Sequence, residues 1–169
     1  MIRYTTRNTA LGETLIAASD AGVCAVWPLA PAAGADNLEA TLLKTFPGDP
    51  VRRDDAGLTD LAARVAQSLE QDSTDASLPL DLRGTPFQQS VWRSLQDIPA
   101  GTTVSYASLA RKLGKPRAVR AVAGACAANR VAVLVPCHRV VRSDGGLSGY
   151  RWGVERKQAL LAQEARASA

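Results

Sequence analysis

Helix start and stop signals in the second half of this 169-residue chain constrain its fold more than any other feature. Thr85 can cap a helix in which Pro86 is the first residue and Gln88 completes a capping box. Ser105 can cap a second, shorter helix, which we expect to end at Gly114. These signals predict short helices separated by turns rather than one long helix.

The helix that follows Gly114 is the predicted groove-reading element. Pro116 can open this helix, which we expect to end near Asn129, so that it forms a helix-turn-helix with the helix before it. Arg117 and Arg120 are three residues apart and are expected on its exposed face. A small, basic exposed face suits a helix that enters a nucleic-acid groove.

The two halves of the chain differ in charge. Residues 1–82 hold 6 Lys or Arg and 12 Asp or Glu, a net charge of −6, whereas residues 83–169 hold 14 and 4, a net charge of +10. A basic half on an otherwise acidic protein is the pattern expected of a surface that meets phosphate. The alternative, which charge alone leaves open, is a solvated basic face.

The N-terminal half predicts a small sheet with helices. GETLIAAS and VCAVWPL are typical of two strands joined in a hairpin. Residues 36–46 and 57–70 have helical patterns, and residues 78–82 are predicted to form a further strand. The predicted fold class is therefore α/β of the α+β type, with an N-terminal antiparallel sheet domain and a C-terminal helical domain that contains the helix-turn-helix.

Cys137 and His138 form the candidate chemical site, in the motif PCHRV. They follow the run VAVLV, a predicted buried strand that Pro136 stops. A thiol is a useful nucleophile as a thiolate, and the nearby His138, Arg139 and Arg142 are expected to lower its pKa. Because neighbours on a strand face opposite ways, contact between Cys137 and His138 would need a turn or a bridging water. Taken without context, a cysteine beside an apolar run is more often a core residue than a catalytic one.

The three cysteines, Cys24, Cys126 and Cys137, are scattered, which favours reduced thiols in a reducing compartment. One histidine and no CxxC pair leave too few ligands for zinc, so we expect no metal and no cofactor. No apolar run reaches the length of a membrane span, and the N-terminus lacks the pattern of a secretory signal. We therefore expect a cytoplasmic protein.

Four segments of the second half carry a family resemblance: FQQSVW, IPAGTTVSYASLARKLGKPRAVRAVAGACAAN, VLVPCHRVV and GLSGYRWGVERKQALL. With them the chain resembles the O6-alkylguanine-DNA alkyltransferases, also called methylated-DNA–protein-cysteine methyltransferases. SGYRWG is most similar to the C-terminal half of bacterial adaptive-response proteins. The resemblance implies a ribonuclease-H-like sheet domain at residues 1–82 and a winged-helix-like, DNA-binding and alkyl-acceptor domain at residues 83–169.

The resemblance implies a DNA repair protein that flips O6-alkylguanine, and also O4-alkylthymine, from DNA and transfers the alkyl group irreversibly to Cys137. In this interpretation His138 and Glu164 form a water-linked hydrogen-bond network that moves a proton away from the thiol. Tyr106 supports rotation of the nucleotide and donates a proton to the leaving base, and Asn129 buttresses the turn before the acceptor. Tyr106 as a buried core residue and Asn129 as a helix cap remain open alternatives.

The same resemblance implies the contacts with DNA. Arg120 enters the duplex in place of the flipped base, with a phosphate contact as the alternative, and Ser148 contacts the guanine oxygen. Arg117 and Val140 are further candidates for substrate or DNA contact. The expected partner is double-stranded DNA with alkylated bases, bound by a monomer that reacts once, a suicide enzyme.

Several alternatives are compatible with the sequence. The adaptive-response relatives carry a further N-terminal domain with four zinc-binding cysteines, which this sequence does not contain, so it is either a stand-alone protein or a C-terminal fragment. A DNA-binding regulator or non-reacting lesion sensor is one rival, although such sensors have another residue, often Trp, in place of Cys137. A cysteine hydrolase is the other, and it would need a separate base and orienting residue.

Overall fold

The computed structural model of the chain describes residues 1–29, 37–71, 77–147 and 149–168. These residues form two compact units, Met1–Leu82 and Arg83–Ala169. Both helices and strands occur, and the predicted α+β fold class is confirmed. Among the described helices, none combines the length and apolar character that crossing a membrane requires.

The first unit is built on a four-stranded sheet with the order β3-β2-β1-β4. The strands are β1 (Ile2–Thr9), β2 (Gly12–Ser19), β3 (Gly22–Pro28) and β4 (Val51–Arg53). β2 and β3 pair antiparallel, which confirms the predicted hairpin. β3 is buried along its whole length because its residues are apolar or small on both faces.

Three features of this sheet differ from the prediction. β1 and β4 were not predicted, because Arg and Thr interrupt their apolar patterns, and β4 pairs parallel to β1, so the sheet is mixed rather than antiparallel. The prediction of a strand at residues 78–82 is wrong. Only Leu80 forms a bridge, to Val23, whose N–H donates to the Pro79 carbonyl at 2.8 Å.

The described residues of the first unit also form two helices, and both predicted helical segments are confirmed with slightly shifted ends. They are α1 (Leu38–Thr45) and α2 (Thr59–Gln71). α2 packs near β1 and buries Val65 and Leu69 on its apolar stripe. Burial of such a stripe is the main source of stability for a helix of this length.

The second unit carries the predicted helix-turn-helix, formed by α4 and α5. Its elements are α3 (Pro86–Gln96), β5 (Val104–Ser105), α4 (Tyr106–Lys112), α5 (Val119–Ala127), β6 (Val140–Val141) and α6 (Val154–Ser168). Thr85 and Gln88 form the expected capping box, and Ser105 caps α4 by accepting from the Ser108 N–H at 2.9 Å. Trp92 Nε1 donates to the Ala125 carbonyl at 2.8 Å, which ties α3 to α5.

The start of α5 differs from the prediction. The helix begins at Val119 and not at Pro116, because residues 115–117 continue the turn that follows Gly114, whose φ of +73° ends α4. Arg117 therefore lies in the turn before α5, whereas Arg120 lies in its first turn. The two arginines do not share a helical face.

The segment VAVLV at residues 131–135 is buried, as predicted, but the predicted strand is wrong. The chain turns there, with a bridge between Ala132 and Val135 and a φ of +67° at Val133. A positive φ is unfavourable for a β-branched residue. Because of this turn, the chain leads to Cys137 through a compact loop and not through an extended strand.

Candidate active site

Cys137 lies at the start of a 3-10 turn, Cys137–Arg139, directly after Pro136. The turn solves the geometric problem that a strand would have posed, since consecutive residues of a strand face opposite ways. Cys137 is 4% exposed and His138 is fully buried. Both side chains therefore sit within the second unit and not on its surface.

Asn129 holds the segment that precedes the turn. Its side-chain Nδ2 donates to the Val135 carbonyl at 2.8 Å and to the Val131 carbonyl at 3.3 Å, and its Oδ1 accepts from the Val131 N–H at 2.9 Å. Nδ2 also lies 3.3 Å from Cys137 Sγ, within hydrogen-bond distance for sulfur. One buried amide thus supports the strained turn around Val133 and positions the thiol.

His138 and Arg139 both contact Glu164, which projects from α6. His138 Nε2 lies 2.7 Å from Glu164 Oε1, and Arg139 donates through Nε at 3.1 Å and Nη2 at 2.8 Å. Arg139 Nη1 donates in addition to the Ile98 carbonyl at 2.7 Å. Glu164 is fully buried, so this carboxylate is compensated by charge-assisted hydrogen bonds.

These contacts define the resting protonation states. Burial alone would raise the pKa of Glu164, but the hydrogen bonds from His138 and Arg139 bring it down to about 2. Burial lowers the pKa of His138, against the opposing effect of Glu164. Glu164 is therefore ionised and His138 neutral at pH 7, with the proton on Nε2. His138 Nδ1, which has no hydrogen-bond partner among the described residues, is left with a free lone pair.

A cavity of about 330 Å³ opens beside the thiol. Residues from α4, α5, the 3-10 turn and the loop before α6 line it: Tyr106, Ala123, Cys126, Ala127, Cys137, Gly149, Tyr150 and Arg151. The lining is mostly apolar, with small side chains on the α5 side. This volume is at the lower end of the range for sites that bind small organic molecules.

Two cations act on the thiol, and they are not those expected from the sequence. Burial raises the pKa of Cys137 to about 11, and the hydrogen bond from Asn129 followed by the charges of Lys157 and Arg151 opposes that rise. Arg139, by contrast, is bound to Glu164, and Arg142 is exposed. The expectation that Arg139 and Arg142 activate the thiol is wrong, because folding directs them elsewhere.

Lys157 is notable because it is fully buried. It lies seven residues before Glu164 on α6, so the two share a helical face, and its Nζ is 5.8 Å from the centre of the Tyr106 ring. Burial lowers the pKa of Lys157, and the charge of the Cys137 thiolate opposes that effect. α6 therefore directs an anion to His138 and a cation toward Cys137.

Replacing Lys157 by methionine is expected to raise the pKa of the Cys137 thiol by on the order of one pH unit, because a nearby cation favours the thiolate. The measurement is the rate of Cys137 alkylation by iodoacetamide at fixed pH values between about pH 8 and about pH 10. These values lie below the raised pKa of about 11 of Cys137, so the rate is proportional to the thiolate fraction. It should therefore fall by roughly tenfold in Lys157→Met. Lys112→Met, which removes an exposed lysine, is the control. An identical pH profile in Lys157→Met and wild type would mean that Lys157 does not lower the pKa of the Cys137 thiol.

The remaining predicted site residues lie at different depths. Arg117 and Arg120 are exposed, and Tyr106 is half-buried in the cavity wall. Val140 is fully buried and pairs with Val104 in the β5–β6 ladder, so a contact with a base could come only from its main chain. Ser148 lies outside the described residues.

Sequence reasoning missed three residues of this site: Lys157, Arg151 and Tyr150. The seven-residue spacing of Lys157 and Glu164 in a helix with Leu160 buried could have identified Lys157. Arg151 and Tyr150 lie in an irregular loop, where no periodicity indicates which side chains face a cavity.

Comparison with known proteins identifies relatives of the chain. Residues 86–166 match the family described as 6-O-methylguanine DNA methyltransferase, DNA binding domain. The chain is 49% identical over 166 residues to the bifunctional transcriptional activator/DNA repair enzyme Ada of Escherichia coli, covering 97% of this chain and 46% of Ada. It is 46% identical over 125 residues to the inducible methylated-DNA–protein-cysteine methyltransferase of Bacillus subtilis, covering 74% and 70%. The chain thus spans less than half the length of Ada.

Solved structures agree with these matches. The O6-methylguanine methyltransferase of Mycobacterium tuberculosis superposes with a TM-score of 0.79 at 32% identity, covering 98% of this chain and 94% of that chain. The Mycobacterium tuberculosis OGT in complex with DNA superposes with a TM-score of 0.73 at 33% identity, covering 97% and 93%. The similarity therefore extends over both compact units.

Proposed function

Since this chain belongs to the methylated-DNA–protein-cysteine methyltransferase family, we propose that it repairs DNA by transferring the alkyl group of O6-alkylguanine irreversibly to its own Cys137. The observation that carries the proposal is the placement of Cys137 in the wall of a base-sized cavity, next to the buried pair of His138 and Glu164. O4-alkylthymine is a second substrate of the same chemistry. DNA binding and alkyl acceptance are assigned to Arg83–Ala169.

The proton of the Cys137 thiol must leave before or during attack, and His138 is the acceptor. Its Nδ1 lone pair takes the proton, directly or through a water, while Nε2 stays bonded to Glu164. Because Arg139 holds Glu164 ionised, the carboxylate stabilises the imidazolium without taking up the proton itself. Sγ then forms a bond to the alkyl carbon as the carbon–oxygen bond breaks, and the electron pair passes to the base oxygen.

The base must leave the stack to reach the cavity, which costs a few kcal/mol, less for a damaged base. Arg120, exposed in the first turn of α5, fills the gap in the duplex. Tyr106, in the cavity wall, supports rotation of the nucleotide and donates a proton to the leaving base. The thioether product has no leaving route, so each molecule reacts once.

The test is intact mass and peptide mapping after mixing the protein with a duplex that contains O6-methylguanine, and in parallel with one that contains O4-methylthymine. We expect one methyl increment per molecule, confined to Cys137 and without turnover. Tight binding without modification would instead identify a non-reacting lesion sensor or regulator. Catalytic turnover of an ester or peptide would identify a cysteine hydrolase.

Arg120→Ala is expected to slow methyl transfer at saturating DNA by roughly tenfold, because the flipped state loses about 1–2 kcal/mol of support. Flipping can be measured directly by fluorescence of a 2-aminopurine next to the lesion. Arg117→Ala, in the turn before α5, is the matched control. It should weaken binding to damaged and to undamaged DNA equally, and it should reduce the salt dependence of binding. Equal behaviour of the two variants would contradict the intercalating role of Arg120.

We also propose that the protein acts as a monomer in the cytoplasm. Cys24, Cys126 and Cys137 are free thiols, as a reducing compartment favours. Sedimentation of the protein with and without a single-lesion duplex checks the stoichiometry, and a complex of two chains per duplex would overturn it.

A further inference from the structure

Arg151 occupies the mouth of the cavity that contains Cys137. It is exposed and lines the cavity, whereas Cys137 is 4% exposed and lies deeper. Its guanidinium lies 5.7 Å from the centre of the Trp152 ring. The side chain is therefore held at the opening through which a flipped base must enter.

Arg151 and the acceptor sulfur are joined through Asn129. Arg151 Nη1 donates to the Asn129 main-chain carbonyl at 3.2 Å, and Asn129 Nδ2 lies 3.3 Å from Cys137 Sγ. Since Asn129 is buried and fixed by its bonds to Val131 and Val135, the guanidinium has a defined position relative to the sulfur. Burial lowers the pKa of Arg151, and the charge of the Cys137 thiolate opposes that effect, so the two charges also influence each other.

The geometry of displacement determines which atom of the substrate comes nearest to Arg151. In-line attack places the leaving oxygen opposite Sγ across the alkyl carbon. The sulfur is at the inner end of the cavity and the base enters from solvent, so the oxygen lies on the side of the mouth. A guanidinium presents five N–H donors in a planar fork, and Nη1 of Arg151 donates to the Asn129 carbonyl.

On the basis of the function proposed above, we propose that Arg151 is a catalytic residue that donates a hydrogen bond to the base oxygen from which the alkyl group departs. As Sγ bonds to the alkyl carbon, the electron pair of the broken bond moves onto that oxygen and into the ring. The guanidinium stabilises this developing negative charge and keeps its own proton, because arginine stays charged. The same contact is available to O4 of thymine, which would explain acceptance of both lesions.

The test compares two electrophiles that share Cys137 but differ in the leaving group. The rate of methyl transfer from O6-methylguanine as the free base, which has no phosphate, is measured beside the rate of alkylation by iodoacetamide. For Arg151→Met we expect transfer from the free base to fall by about 10²-fold, as for loss of one donor to a developing oxyanion. The rate of alkylation by iodoacetamide should fall much less, because that reaction loses only the effect of the Arg151 charge on the pKa of the thiol.

Arg166→Met removes an exposed arginine from the end of α6 and should match wild type in both reactions. Arg151→Lys keeps the charge without the planar fork and should recover only part of the transfer rate. It also provides the comparison if Arg151→Met does not fold.

Two results would overturn the assignment. An equal fall with both electrophiles would mean that Arg151 acts on the thiol and not on the base. A loss seen with duplex DNA but not with the free base would mean a phosphate contact. Failure of the proposed function is distinguishable from both, because wild type itself would then fail to take up a methyl group from methylated duplex DNA.

Discussion

Glu164→Gln is expected to lower the free energy of unfolding by about 3–5 kcal/mol, the usual cost of breaking a buried ion pair by removing one partner. Glutamine is nearly isosteric, so packing against α6 is retained. What is lost is the negative charge that compensates Arg139, which is 3% exposed, and that accepts from His138 at 2.7 Å. The measurement is urea unfolding at pH 7, compared with Glu155→Gln, an exposed glutamate of the same helix.

The pH dependence of stability provides a second readout of Glu164. Its pKa is about 2 in the folded protein and near the ordinary value of 4.5 in the unfolded chain. The unfolded state therefore binds more protons between these values, so the stabilisation is complete above pH 4.5 and is lost as the pH falls toward 2. Glu164→Gln should lack this component of acid sensitivity, and Glu155→Gln should retain it.

Alkyl transfer should also respond to Glu164→Gln. Loss of the carboxylate removes the group that holds His138 in the Nε2–H tautomer and stabilises the imidazolium, so we expect transfer to slow by about 10²- to 10⁴-fold. If the Glu164→Gln protein were as stable and as fast as Glu155→Gln, the charge of Glu164 would have no role in either property.

Cys137→Ala is expected to abolish alkyl transfer completely while it leaves DNA binding intact. The substitution removes the acceptor atom, and Asn129 keeps its hydrogen bonds to Val131 and Val135, so the turn should persist. Binding to a lesion-containing duplex is measured by fluorescence anisotropy at fixed salt, because phosphate contacts make affinity salt-dependent. Transfer is measured by intact mass.

Cys126→Ala is the matched control, since Cys126 lines the same cavity. Burial, followed by the charge of Cys137, raises the pKa of the Cys126 thiol to about 12. For Cys137 the effect of burial is opposed by the hydrogen bond from Asn129 and the pKa is about 11, so Cys126 is the poorer nucleophile of the two. This variant should still take up one methyl group per molecule. Methyl uptake by Cys137→Ala, or its absence from Cys126→Ala, would contradict the assignment of Cys137 as the acceptor.

Local signals predicted the helical elements of the second unit well. The capping box of Thr85 and Gln88, the cap at Ser105 and the stop at Gly114 all depend on hydrogen bonds or backbone angles within a few residues. The prediction that α5 begins at Pro116 was wrong for a related reason. Proline is compatible with the first turn of a helix and equally with the turn before it, so its presence did not decide between them.

The sheet and the acceptor turn were less predictable. β4 is only three residues long, and its pairing with β1 joins residues about fifty positions apart. VAVLV has the composition of a strand, but Asn129 binds both Val131 and Val135 and holds the chain in a turn. The intrinsic preference of these residues for a strand amounts to roughly a few tenths of a kcal/mol each, and a set of buried hydrogen bonds outweighs it.

By itself the sequence determined the helix-turn-helix and the basic character of the second half, because these follow from local spacing and summed charge. The family resemblance of the sequence, and not residue chemistry alone, made Cys137 the candidate nucleophile. Only the tertiary structure decided which charged groups act on that nucleophile. It paired Arg139 with Glu164, brought Lys157 and Arg151 toward Cys137, and left Arg142 in solvent. Electrostatic effects depend on distance and burial in three dimensions, and neither is encoded in the order of residues along the chain.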